Sequence, residues 1–307
     1  MITKNILNSS EYSFLKTDEH LGENIILLGL ASSYSYGTNN DESDIDVREI
    51  TLNRKSDIIG LTEYEQYVDT NTDTTIYTFN KIIKLFLSCN PNTIELLGLR
   101  KEHYLYLNNI GEELINNKTL FLSKRAVQSF GGYANAQLRR LENALARDYK
   151  GMLSEMTNVV KDYDKLGKRN KKKDDKHLNK HAMHLIRLFM MAIDILEKGE
   201  INTYGENEHD MLMDIRNGKY QNSDHTFNST FYDILSEYEK SFQYAANNTS
   251  LPDEPDMNKV QEYQCFYFYK LEYNILTSFT HLLIFLSYPV IFLIIGAMTH
   301  RIHITPK

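Results

Sequence analysis

The chain contains no tryptophan and only two cysteines, Cys89 and Cys265, in 307 residues. Two thiols so far apart exclude a disulfide framework and any cysteine-based zinc module, and they suit a reducing, cytoplasmic setting. A basic excess is also missing. With 34 basic against 41 acidic residues the net charge is −7, so only a local patch can draw this chain to nucleic acid. The N-terminus, Met1-Ile2-Thr3-Lys4, turns polar without the apolar run of a signal peptide. No repeat at solenoid periods occurs. The abundance of tyrosine (21) beside absent tryptophan reads as base composition of the gene. What remains, 42% hydrophobic and 24% charged, is the balance of a soluble globular protein with a sizeable core.

Periodicity divides the chain. Asn24 to Ala31 is an apolar run ending in small residues and predicts a buried strand. A turn-rich stretch, Ser32 to Ser43, follows. Asp44 to Thr51 then alternates and predicts a second strand, and Thr72 to Thr78 a third. From Phe79 the period becomes helical, with Ile82, Ile83, Phe86 and Leu87 on one stripe that ends before Asn90-Pro91. Helical patterns dominate afterwards, over Ser123–Ala146, Lys176–Lys198 and Thr226–Ala245, with a turn-prone, basic linker between Gly151 and Asp174 and a break at Ser250–Asp256. The expected fold class is α+β: a small mixed sheet with helices over residues 1–120, then a mostly helical region over 121–250 that completes a cleft. A hydrophobic tail covers 263–307.

The chemistry concentrates in one stretch, Gly29-Leu30-Ala31-Ser32-Ser33-Tyr34-Ser35-Tyr36-Gly37-Thr38, followed by Ser43-Asp44-Ile45-Asp46-Val47-Arg48. On a strand, Asp44 and Asp46 would project to one face while Ile45 and Val47 enter the other. Paired carboxylates repel unless a cation sits between them, and hard oxygen donors suit Mg²⁺ or Mn²⁺ together with substrate phosphates. The small-residue turn would bring backbone N–H groups and the Ser33 hydroxyl against a phosphate tail. An Asp-x-Asp alone is more often a solvated strand edge; the preceding turn is what raises it above that.

At these residues the chain resembles the DNA polymerase β-like nucleotidyltransferase superfamily, whose signature is a Gly-Ser or Gly-Gly turn followed by Asp-x-Asp on the next strand. The finer pattern, Tyr-x-Tyr-Gly-Thr and then Ser-Asp-x-Asp-x-Arg, looks like the RNA-repair-pathway polymerase β family. The likeness continues through Asn90-Pro91-Asn92 with Ile94-Glu95-Leu96-Leu97, Lys180 to Leu188, and Asp214 to Lys219, and fades after about Glu262. It implies transfer of a nucleoside monophosphate from an NTP to an acceptor hydroxyl, with an RNA end as the favoured acceptor. It also implies Asp73 as the third metal-holding acid, with Asp69 and Glu65 as competitors and a turn or cap role as the bland reading. Two departures stand out. Ser32 occupies a position usually glycine, and Glu49 replaces the glycine that commonly follows the arginine.

Other candidates follow from charge and helical spacing. On the Lys176–Lys198 helix, Leu178, Ala182, Leu185, Phe189, Ile193 and Leu196 form one face, and Lys180, His181, His184 and Arg187 lie on another. The cations beside the histidines favour phosphate or acceptor contact; an interfacial face without a ligand and a transition-metal site are the alternatives. Arg216 joins Ser32 and Ser33 as a further nucleotide-binding candidate, and Glu95 as a group that orients a basic residue. The acceptor alternatives are a protein hydroxyl, as in antitoxin-type nucleotidyltransferases, or no acceptor at all in a non-catalytic nucleotide-binding module. Leu282 to Met298 reads as a membrane anchor, with a non-native tail or a packed helix as the other two readings.

Overall fold

The computed structural model describes residues 8–145 and 175–267, apart from Glu42, Thr62, Asp224 and His225. The basic linker and the apolar run 282–298 lie outside the described residues. Among the described residues no helix is long and apolar enough to cross a membrane. The chain divides after Pro255 into two compact units. In the second, 257–267 is helical.

The first unit is built on one mixed sheet. Strands β1 (Ile25–Leu30), β2 (Val47–Thr51), β3 (Gln66–Asp69), β4 (Thr74–Thr78) and β5 (Tyr104–Leu107) are ordered β3-β4-β2-β1-β5. Only β2 and β4 run parallel; the other pairs are antiparallel. β1 is buried at every position, as its apolar run predicts. The second strand is shorter than expected. Its ladder with β1 starts at Leu30↔Val47, and Asp44 to Asp46 form an irregular lead-in whose last carbonyl, that of Asp46, still accepts from the Ala31 amide at 2.9 Å.

Helix α1 (Phe79–Leu87) starts at Thr78, whose side chain caps the Lys81 amide, and buries Phe79, Ile82, Ile83, Phe86 and Leu87. Asn90 ends the next turn as a cap and Pro91 opens a new short helix, so the proline that stops one helix starts another. A short helix α2 (Asn109–Asn116) follows β5. The helical half consists of α3 (Arg125–Leu145), α4 (Asp175–Lys198), α5 (Glu206–Arg216) and α6 (Ser229–Asn248). Ala182, Met183, Leu185, Ile186 and Phe189 of α4 share a core with Ala134, Leu212, Ile215, Phe231 and Leu235 from the three helices around it. A helix with neighbours on three sides is buried almost all round. The expected division of α4 into an apolar and a polar face therefore fails beyond Ala182, and Arg187 is only 9% exposed.

On one face of the sheet, Tyr12, Leu15 and Leu21 of the N-terminal segment cover Leu28, Leu30, Val47, Ile76 and Leu105. Glu49 enters this cover: its cross-strand partners are Leu28 on β1 and Ile76 on β4. It is fully buried, and neither carboxylate oxygen has a hydrogen-bond partner among the described residues. Burial alone pushes its carboxyl well above the usual range. The folded chain thus binds this proton more tightly than the unfolded chain, and stability falls as pH rises above about 4.5. Glu49→Met, which keeps the shape and removes the orphaned oxygens, is expected to stabilise the fold by roughly 1–3 kcal/mol near pH 8 and by less near pH 5. Urea denaturation at the two pH values checks this; equal or opposite shifts would show that Glu49 is solvated or paired.

Candidate active site

Three elements converge at one end of the sheet. β1 runs into a short helical turn, Ser32–Ser35, closed by the Thr38 amide donating to the Ser33 carbonyl at 2.9 Å. Ser32 has φ +55°. A side chain in that left-handed region costs about 1–2 kcal/mol, which is the physical reason glycine suits the position. Gly37 (φ +65°) is required more strictly, because a Cβ there would meet the Tyr204 ring at 2.9 Å.

The acids meet through register. β2 and β4 are parallel with Val47 opposite Thr74, so the residues just ahead, Asp46 and Asp73, come side by side. Their carboxyls are close enough for Asp73 to raise the Asp46 pKa. Asp73 is an exposed turn residue with φ +49° between β3 and β4, as its bland reading expects, and the register sets it beside Asp46. Asp46 is half-buried, and burial, then the Asp73 carboxyl, pushes its pKa up to about 6 against the pull of the Ser32 hydroxyl and Arg48. Asp44 is exposed, two residues upstream. Among the described residues no three histidines, cysteines or acids form a metal-ligating group, so Asp44 is not gathered with the other two as a strand would have gathered it. The donor set still fits a hard divalent cation, because two crowded carboxylates repel and such an ion relieves the repulsion.

Beneath the turn lies Glu95, 2% exposed. Its Oε1 accepts from the Ser32 amide at 3.2 Å and from Arg48 Nη1 at 3.4 Å. This confirms the expectation that Glu95 orients a basic residue and corrects another. The Ser32 amide is spent on a protein carboxylate and is not offered to a phosphate.

On the helical side, Arg187 lays its guanidinium 3.6 Å from the centre of the Tyr36 ring. Arg216 donates to Ser43 Oγ at 3.1 Å. The two guanidiniums are close enough that Arg187 depresses the Arg216 pKa, after burial has done so. Arg187 Nε and Arg216 Nη1 are buried donors with no acceptor among the described residues. Lys180, exposed, and His181 and His184, half-buried, sit one and two turns back along α4; Arg187 and Arg216 are the two that the structure ties to the signature loop. α5 escaped the sequence reading, although it contributes His209 as well, whose Nε2 lies 2.9 Å from the Gly37 carbonyl. Its composition, Glu-Asn-Glu-His-Asp-Met-Leu-Met-Asp-Ile-Arg, buries only Leu212 and Ile215, too few to show a stripe.

A family model, RlaP, the RNA repair pathway DNA polymerase beta family, matches residues 9–267. The chain belongs to this family. No curated protein matches it. Among solved structures, a nucleotidyltransferase-like protein from Exiguobacterium sibiricum 255-15 is similar at 12% identity over 77% of this chain and 75% of that one, with a TM-score of 0.28. Membership in the RNA repair pathway polymerase beta family accounts for the order of the motifs. The left-handed backbone at Ser32 makes the departure there costly, and the apolar cover around Glu49 does the same for the second.

The Asp46 proton supplies a test without any substrate. Its folded pKa is raised, so metal-free stability from this group falls as pH climbs from 3.8 to about 6. Asp46→Asn should flatten that decline and raise stability near pH 7 by about 1–2 kcal/mol, allowing for solvent screening of a half-buried group. Chemical unfolding in chelator at pH 4.5 and 7 reads it; an unchanged slope would mean that Asp46 is not the titrating acid.

Proposed function

We propose that the chain transfers a nucleoside monophosphate from an NTP to an acceptor hydroxyl, an RNA end in preference to a protein, and releases pyrophosphate. The observation that carries this is the Asp46–Asp73 pair beside a tight small-residue turn, faced by two arginines with unfilled buried donors. Membership in the RNA repair pathway family supports the RNA end.

Asp44, Asp46 and Asp73 would hold Mg²⁺ or Mn²⁺, which when bound neutralises phosphate charge and fixes the in-line geometry. Asp73, the outermost of the paired acids, takes the proton of the acceptor hydroxyl as its oxygen bonds to the α-phosphorus. The bond from that phosphorus to the bridging oxygen of the β-phosphate breaks, and pyrophosphate leaves with the electron pair. Arg187 Nε and Arg216 Nη1 supply donors to the phosphate oxygens, as a guanidinium fork is suited to do. Ser33 closes the turn beneath that tail, and Lys180, His181 and His184 extend the basic surface along α4 toward the acceptor.

Each NTP, labelled at the α-phosphate, should be incubated with the protein, Mg²⁺ or Mn²⁺, and separate cellular RNA and protein fractions. Label is expected in RNA, is lost by at least about 100-fold in Asp46→Ala, and falls steeply with added salt. Label confined to protein would move the acceptor, and wild-type labelling by Asp46→Ala would end the proposed chemistry.

A further inference from the structure

We propose that Glu95 is a positioning residue, whose buried carboxylate holds the Ser32 amide in its left-handed conformation and so sets the turn against the strand lead-in that carries Asp46. This rests on the reading of Asp46 as a cation-holding acid, while the geometry is independent of it. A serine with φ +55° persists only where its surroundings over-determine it. Here the surroundings do so. The Ser32 amide donates to Glu95 Oε1 at 3.2 Å, and the Ala31 amide just before it donates to the Asp46 carbonyl at 2.9 Å.

Glu95 is equipped for the role. Its segment is rigid: Asn90 Oδ1 caps the Asn92 amide, and Thr93, Ile94, Leu96 and Leu97 are buried around it. Arg48 Nη1 lies 3.4 Å from the same oxygen, and an ion-paired acceptor makes the stronger bond to an amide. Arg48 itself stands two residues after Asp46 and exerts its charge on it. One carboxylate that touches neither substrate nor cation thus sets both the turn before the acids and the cation beside them.

The test uses the full chain and three readouts: amide hydrogen exchange at Ser32, Mn²⁺ affinity by electron paramagnetic resonance, and melting temperature. Glu95→Ala is expected to speed Ser32 exchange and to weaken Mn²⁺ binding by about tenfold, the low end for a residue acting through another ligand's partner. Glu95→Gln, which keeps an acceptor oxygen and lacks the charge, should fall between, and it decides the matter if the alanine variant does not fold. Ser32→Gly, which keeps the amide donated to Glu95, should melt higher than wild type, because glycine takes the left-handed backbone freely, and should keep wild-type Mn²⁺ affinity. Wild-type Mn²⁺ affinity in both Glu95 variants, with affinity lost in Asp46→Ala, would overturn the inference. If Asp46→Ala itself binds Mn²⁺ normally, the cation reading fails, and Ser32 exchange alone still decides whether Glu95 holds the turn.

Discussion

The parallel pairing of β2 with β4 is the constraint on which the site depends. The register Val47↔Thr74 is what brings two aspartates 27 positions apart side by side. A slip of one residue would turn each side chain to the opposite face and leave Asp46 opposite a threonine. The register is held on both flanks. Val47 and Ile76 are anchored in the apolar cover of the N-terminal segment, and the Thr78 cap fixes the end of β4 at the start of α1. The acids therefore owe their proximity to hydrophobic burial some residues away, because nothing in two like charges would bring them together.

Around that pair the protein arranges charge asymmetrically. Acids gather at the ends of the strands, and guanidiniums come from helices α4 and α5. The buried Glu95–Arg48 pair lies between the turn and the sheet, where its opposite charges largely cancel. Such a pair adds little net stability, because desolvation offsets its attraction; what it supplies is a fixed direction for each partner. Arg187 and Arg216 differ in this respect. They repel one another, and each keeps a donor without an acceptor among the described residues, a deficit of the kind that a phosphate oxygen can relieve.

Much of this was legible in the sequence, and the remainder was hidden for identifiable reasons. β1, α1, α3, α4 and α6 follow from apolar periodicity, because each buries a continuous run or stripe. β3 and β5 did not, since edge strands of four residues bury too few side chains to show a pattern. The Asp-x-Asp motif located the site but misjudged its backbone, placing both acids on a strand that begins one residue after them. Arg187 was recognised as a cation of interest, yet set on a polar face apart from the core, because a single helix gives no sign that three others surround it. Glu49 stood out only as a departure from a glycine, and the lack of a partner among the described residues reveals what its burial costs.

Helix α5 grips the signature loop at two points, His209 on the Gly37 carbonyl and Arg216 on Ser43 Oγ. Those contacts join residues more than 170 positions apart in the chain. During synthesis the sheet can pair, and the strand acids can meet, long before α5 has left the ribosome. The loop between them acquires its final shape only when the chain has grown past residue 216. The stretch that carries the chemistry is thus set later than the sheet beneath it, and a chain that stopped short of α5 would hold a finished sheet beneath an unset site.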